Sequence, residues 1–371
     1  MYYIFIPIAC LVAVCLSRMI IPEIIRAAFK KRLFDVPDVR KLHTSAIPRL
    51  GGFSFAPVIL FTLALTCALV YQYDTEETRL NIVAKLPEMM FFICGLVVLY
   101  LIGILDDMVG SRYRIKFTAQ IIAAACIPLA GVWINNLYGL FGIYALTPWI
   151  GIPLTMFLTV LIINSINLID GIDGLASGVS CVSLKILGAA LIIQQSWTFA
   201  TLAFITVGML FPFFYYNVFG DSEKHNKIFM GDTGSLILGY IQAFLAIEVL
   251  SLTPYTPPYN MLVIAFAALF LPAFDVFRVI TVRLYNRKHI FMPDRGHIHH
   301  KLLSIGLTPR WVLATLIVVD VIFCWLNIWL CFYDANVTAL ILADIALWVG
   351  LNIIINRMIS KRENSAVKSE E

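Results

Sequence analysis

Two adjacent carboxylates, Asp106 and Asp107, close an apolar stretch in GILDDMVGSRYRIK (103–116), and Lys116 follows nine residues after the second. Like charges side by side at a bilayer boundary cost free energy unless a cation or proton offsets them. A solvated helix end, with an aspartate capping the next turn, is the reading without chemistry. The chemical reading is a carboxylate pair beside metal or phosphate, with Lys116 as a point charge for phosphate. No third carboxylate follows four residues on, which argues against the D-D-x-x-D pattern of soluble prenyl-chain synthases.

A second group lies in NSINLIDGIDGLASG (164–178). Asn164 and Asn167, three apart, share a helix face, and two Asp-Gly steps then break the helix because glycine tolerates tight turns. Side-chain oxygens of Asn164, Asn167, Asp170 and Asp173 are expected to gather there, and such oxygens suit Mg²⁺ or Mn²⁺. An ordinary Asx turn explains one Asp-Gly step but accounts poorly for the whole set. In FMGDTGSLILGY (229–240), Asp232, Thr233 and Ser235 precede an apolar run. They read as an N-cap, or as a carboxylate holding a metal that bridges phosphates at a helix N-terminus. Last comes PDRGHIHHKLLSIG (293–306), where Arg295, His297, His299, His300 and Lys301 crowd together. Zinc lacks an accompanying cysteine or H-E-x-x-H pattern. A phosphate grip fits better, and a solvated basic loop is the plain alternative.

The elements that must position these groups are membrane helices. Of 371 residues, 60% belong to the apolar set and 13% are charged, against about 25% charged in a soluble domain. A fold so poor in charge cannot cover a water-facing surface. Apolar windows of about 20 residues, the length that crosses a bilayer as helix, recur about eleven times. They lie near 2–24, 50–71, 89–105, 117–134, 147–166, 175–194, 197–218, 234–251, 259–284, 310–332 and 336–357. The expectation is an all-α integral membrane protein: one polytopic domain over 1–358 and a short polar tail over 359–371, without repeats.

Basic residues favour the cytoplasmic side. With the N-terminus outside, an outer connection holds only Arg79 and Lys85, and the dense set from Arg26 to Arg49 falls inside. The C-terminus is then cytoplasmic. All six histidines, including His43, and the aspartates above fall on that same face. The first span lacks a basic n-region and a cleavage pattern, so it reads as a retained helix. The eight cysteines sit within apolar spans without a C-x-x-C pair, so neither disulfides nor zinc are expected. Asp275 and Arg278 are suited to an ion pair, while Glu248, Lys185, Asp320 and Asp344 read as snorkelling or span-end charges. A secondary transporter would carry such charges near the midplane and show repeated halves, which this chain does not.

The four segments, in this order, resemble the polyprenyl-phosphate N-acetylhexosamine-1-phosphate transferases of the glycosyltransferase family 4 type. The likeness runs from DVPDVRKLHTSAIPRLGG (35–52) through PAFDVFRVITVR (272–283) to the H-I-H-H loop. It implies transfer of a sugar-1-phosphate from a UDP-sugar to a polyprenyl phosphate, with release of UMP. It makes Asp106 and Asp107 the essential carboxylate pair, with Asp232 also catalytic, and puts Mg²⁺ on Asn167 and Asp232. Lys116 becomes a phosphate contact. Asp170 and Asp173 fall on the nucleotide or metal side, Asn164 among the substrate contacts, and Arg295, His297, His299 and His300 grip the sugar-nucleotide phosphates. The first loop, with His43, borders the site.

The muramoyl-pentapeptide branch typically has three contiguous histidines where this chain has H-I-H-H. The pattern is similar to the bacterial branch that primes O-antigen, common-antigen or teichoic-acid synthesis with GlcNAc-1-phosphate on undecaprenyl phosphate. Another UDP-acetamido sugar, or UDP-MurNAc-pentapeptide, is the alternative donor. The implied location is the bacterial cytoplasmic membrane, with lipid and a homodimer mate as partners and no nucleic acid. Direct attack by the lipid phosphate and a two-step route through an aspartyl-phosphate both remain open.

Overall fold

The computed structural model describes residues 2–31, 33, 47–252, 260–287, 296–333 and 335–370. Within them the chain forms α1 (Tyr2–Lys31), a 3₁₀ turn (Gly51–Ser54), α2 (Phe55–Tyr73), α3 (Glu76–Val109) and α4 (Tyr113–Leu129). A hairpin of β1 (Asn136–Leu140) and β2 (Ile143–Ala145) precedes α5 (Pro148–Ile169), α6 (Leu175–Ile193), α7 (Trp197–Val218) and α8 (Gly231–Ser251). Then come α9 (Met261–Tyr285), the short α10 (Ile298–Ser304), α11 (Pro309–Cys331) and α12 (Val337–Glu370). Helices are the expected outcome, since a span in lipid must satisfy its backbone polar groups within itself.

Ten of these helices are long and apolar enough to cross a membrane. The expected fourth span, near 117–134, is the exception: α4 has 17 residues. Its last turn holds Pro128, and Gly131 follows with φ +83°. The chain then leaves as extended backbone, with Ile134 N–H donating to Thr155 Oγ1 at 2.9 Å, and forms the antiparallel hairpin. That hairpin is the one departure from an all-helical chain among the described residues. At the other extreme, α3 begins at Glu76 rather than near 89, and α12 carries its helix through the polar tail to Glu370.

The spine of the bundle is α8. Every residue from Thr233 to Leu250 is buried, against α2, α3, α5, α6, α7 and α9. A helix apolar on all sides belongs in such a position. Small residues bring its neighbours close: a Cβ on Gly52 would lie 2.1 Å from Gly234 N, and one on Gly103 would lie 2.5 Å from Thr233 Cα. Without a hydrophobic force between helices in lipid, such close backbone packing is a main source of association. The outer helices present large apolar side chains outward, among them Phe61, Leu101, Phe157, Phe211 and Trp325. All eight cysteines are free thiols.

Candidate active site

Four helix ends meet at one end of the bundle: the last turn of α3, the start of α4, the end of α5 and the start of α8. Asp107, in the last turn of α3, faces α8. Its Oδ1 accepts from Asp232 N–H at 2.8 Å, and its Oδ2 accepts from Thr233 N–H at 2.9 Å and Thr233 Oγ1 at 2.6 Å. A helix N-terminus has orphan N–H groups and positive partial charge, and here a carboxylate from another helix satisfies them. The N-cap chemistry expected of Asp232 itself is thus supplied by Asp107. Gly231 makes this possible: its φ is +73°, and a Cβ there would lie 2.6 Å from Asp107 Oδ2.

Asp106 faces the other way. Its Oδ1 accepts from Ser111 N–H at 2.8 Å and Ser111 Oγ at 2.6 Å, and its Oδ2 from Lys116 Nζ at 3.0 Å. Lys116 Nζ also donates to Asp232 Oδ2, so one ammonium joins two carboxylates from different helices. Asn167 completes the group by donating to Asp232 Oδ1 and Ser235 Oγ, both at 2.8 Å. The first loop does reach this place. Backbone bonds from Phe229 N to Pro48 O, Gly51 N to Phe229 O and Gly52 N to Met230 O pin residues 48–52 beside the start of α8.

The other expected residues separate into three places. Asn164 does not join Asn167: its amide exchanges hydrogen bonds with Gln120 of α4, at 2.7 and 3.3 Å. Three residues along a helix leave about 60° between side chains, enough for one asparagine to meet α4 and the other α8. Asp173 pairs with Lys227 at 2.6 Å. Asp170 ends α5, where burial first, then the negative charges of Asp232 and Asp173, push its carboxyl well above the usual carboxylate range. The expected convergence of all four oxygen-bearing side chains on one point therefore narrows to Asn167, with Asp170 close by.

The histidines form a separate wall. His299 is 1% exposed and rests on the first Asp-Gly step, where a Cβ on Gly171 would meet its Nε2 at 2.5 Å. Burial, with a smaller push from His300, lowers the His299 imidazole to about 3, so it is neutral at pH 7. Its ring lies nearly parallel to that of His297, centroids 5.9 Å apart, and contacts His300 at 4.2 Å. Lys301, lowered chiefly by burial to about 8, donates to Asn352 Oδ1 at 3.2 Å. Arg295 and His43 lie outside the described residues.

Several contributors carried no signal in the sequence. Asn217 accepts from Gly174 N–H at 2.6 Å and donates to Ile228 O at 2.9 Å, tying the start of α6 to the loop before α8. Ser111 and Gln120 likewise act only through partners that three dimensions supply. Gly174, with φ +80°, takes the left-handed turn expected of the second Asp-Gly step.

Among the described residues no three His, Cys, Asp or Glu side chains are grouped to hold a metal by themselves. The donor set around Lys116 nevertheless fits a hard divalent ion. Magnesium uses one or two carboxylates and completes its shell with water and substrate phosphate. Asn167 has an oxygen and a nitrogen end of like shape, so turning its amide presents an acceptor where its hydrogens now point.

Fold and site together define a multi-pass membrane phosphotransferase, and the comparisons with known proteins agree. Residues 89–250, which carry three of the four motifs, match the model of glycosyl transferase family 4. A probable undecaprenyl-phosphate N-acetylglucosaminyl 1-phosphate transferase of Bacillus subtilis is 31% identical over 94% of this chain and 87% of its own length. The undecaprenyl-phosphate alpha-N-acetylglucosaminyl 1-phosphate transferases of Escherichia coli K12 and Yersinia pestis are 31% and 28% identical. Each alignment covers 78% of this chain and 75% of the relative. The chain belongs to glycosyl transferase family 4.

Proposed function

We propose that this protein transfers GlcNAc-1-phosphate from UDP-GlcNAc to undecaprenyl phosphate, releasing UMP and starting a lipid-linked envelope glycan. The observation that carries this reading is the Asp106–Lys116–Asp232–Asn167 cluster at the meeting of four helix ends, in a chain so similar to the Bacillus relative. An oxygen of the lipid phosphate attacks the sugar-linked phosphorus, a new P–O bond forms, and the P–O bond to UMP breaks. Such a transfer asks the protein for positioning and charge neutralisation more than covalent work.

Lys116 supplies a fixed positive charge to phosphate oxygens, and releases its carboxylates in doing so. Asp106 orients the acceptor phosphate or takes its residual proton; a phosphate monoester with a second pKa near about 6 needs no strong base. Asn167 and Asp232 would hold Mg²⁺, which when bound offsets the negative charge of the diphosphate. Asp170 and the histidine wall flank the donor.

The site belongs on the cytoplasmic face. Lys30 and Lys31 end α1, Arg112 and Arg114 start α4, Arg283 ends α9 and Arg310 starts α11, all at the site's end, and basic residues favour that side. The ends of α3 and α5 both stand at the site, which supports a path in which α4 traverses the bundle between them. Its 17 residues span about 25 Å, and the extended residues after it complete the crossing. On this reading the chain makes eleven crossings, with the N-terminus outside and the C-terminus inside.

The test is purified protein with UDP-GlcNAc, undecaprenyl phosphate and Mg²⁺, following UMP release and label entering the lipid phase. Transfer that vanishes in Asp232→Ala and on chelation supports the reading. Activity with a different UDP-sugar alone would replace the donor. A folded preparation inert with every sugar and acceptor would remove the reading altogether.

A further inference from the structure

Two charged residues of α9 have no role in the transfer as derived above, yet they hold one wall of its site. Asp275 is 2% exposed and accepts three hydrogen bonds. Its Oδ2 is 2.8 Å from His297 Nδ1, while its Oδ1 takes Ile298 N–H at 3.1 Å and Arg278 Nη2 at 2.7 Å. Arg278 Nη2 donates further to Gly296 O at 2.6 Å. The backbone on both sides of His297, and the imidazole itself, are thus fastened to one buried ion pair.

Packing alone does not call for this arrangement. A buried ion pair often contributes no more than apolar residues of the same volume, and Arg278 Nε here is buried without a hydrogen-bond partner among the described residues. What the pair provides is direction. With Nδ1 committed to a carboxylate, His297 carries its proton there, and Nε2 is the nitrogen left to act elsewhere. The far end of α10 is fastened as well, through Lys301 to Asn352 and through Arg362 Nη1 to Ser304 O at 3.2 Å. Between the two fixings, His299 is laid on Gly171, in the turn that continues from Asn167.

We infer that Asp275, supported by Arg278, is a positioning residue for the nucleotide-sugar donor: it orients His297 and seats α10 against the Asp170–Gly171 turn. The inference rests on the transferase reading above, and it concerns donor binding rather than the acceptor or the bond-breaking step. Asp275 touches neither substrate and acts through His297.

The informative variant is Asp275→Asn. The amide keeps the shape and can still accept from Ile298 N–H and Arg278, but it offers hydrogens to His297 Nδ1 and so forces the other tautomer. The donor KM is expected to rise by about ten- to a hundredfold, the range for lost partners of orienting histidines. The KM for undecaprenyl phosphate and kcat should move by less than about threefold, within the context spread of one hydrogen bond. In a His297→Ala background the same substitution should add little, whereas a merely structural role would lower kcat and thermal stability in both backgrounds.

Hydrogen exchange of residues 296–304 reports the fastening directly and should quicken in Asp275→Ala. An active wild type whose donor KM is unmoved by Asp275→Asn, or moved equally with His297 absent, would overturn the inference alone. A wild type without transfer activity would overturn the reading beneath it.

Discussion

Asp106 and Asp107 are neighbours in sequence whose carboxylates have different work. Asp107 spends both oxygens on the N-terminus of α8, while Asp106 shares Lys116 with Asp232. Removing Asp107 orphans buried donors and a helix dipole, so Asp107→Ala is expected to lower stability by about 1–3 kcal/mol and activity with it. Removing Asp106 leaves the Lys116–Asp232 pair in place, so Asp106→Ala should abolish transfer with little change in the thermal midpoint. Midpoints and specific activities of the two variants in detergent separate the roles. A second expectation concerns His299, whose folded value of about 3 lies below its ordinary 6.5. The unfolded chain then binds the extra proton first as pH falls, so stability is full above 6.5 and declines below it. The slope approaches about 1.4 kcal/mol per pH unit. Melting curves from neutral to mildly acid pH should be steeper for the wild type than for His299→Gln. These distinctions lay beyond the sequence. Residue types and order raised the expectation of phosphate and metal chemistry, but which way a side chain turns depends on partners such as Gln120 and Thr233. They are far off in the chain, and nothing beside Asp107 or Asn164 in the sequence points to them.

At the scale of elements, the site exists because turns let helix ends approach without side chains between them. Gly231 shows the constraint most sharply, since its φ of +73° and the nearness of Asp107 both exclude a Cβ. Gly231→Ala therefore meets a left-handed strain of about 1–2 kcal/mol and a collision that pries Asp107 from α8. Transfer should be lost and the thermal midpoint lowered. By contrast Gly110, also at positive φ but with open space around it, should tolerate alanine with the strain cost alone. A parallel measurement of both variants distinguishes strain from collision. The long apolar helices were legible because lipid imposes a simple rule on composition. The short α4 and the β1–β2 hairpin were not. A proline near the end of an apolar run is common in membrane helices, and nothing before Gly131 marks the place where helix gives way to strand.

At the scale of the whole molecule, α3 and α8 carry charge at both ends. Opposite the site, Lys85 Nζ lies 3.0 Å from Glu248 Oε1 and 2.8 Å from Glu88 Oε2, and Glu248 is fully buried on α8. Sixteen residues separate Asp232 from Glu248, about 24 Å of helix, and Glu248 is paired with Lys85, so at that distance the site meets the weak field of an ion pair rather than that of a bare charge. The pair's work is to join α3 to α8 at the end that the contacts of Asp107 do not reach. Glu248→Ala opens a void in a packed seam and removes one of the two carboxylates that hold Lys85. A loss of about 2–4 kcal/mol is expected, read as a lower thermal midpoint. Lys85 keeps Glu88, so the charge is not orphaned and the protein still folds. Replacing Lys85 with methionine and Glu248 with leucine together should restore most of that stability, because an apolar pair of like volume serves a buried seam as well. Activity per folded molecule should stay near wild type in both variants, since the cluster around Lys116 is untouched. A drop in kcat without loss of stability would mean instead that the far end of α8 is coupled to the site through the helix itself.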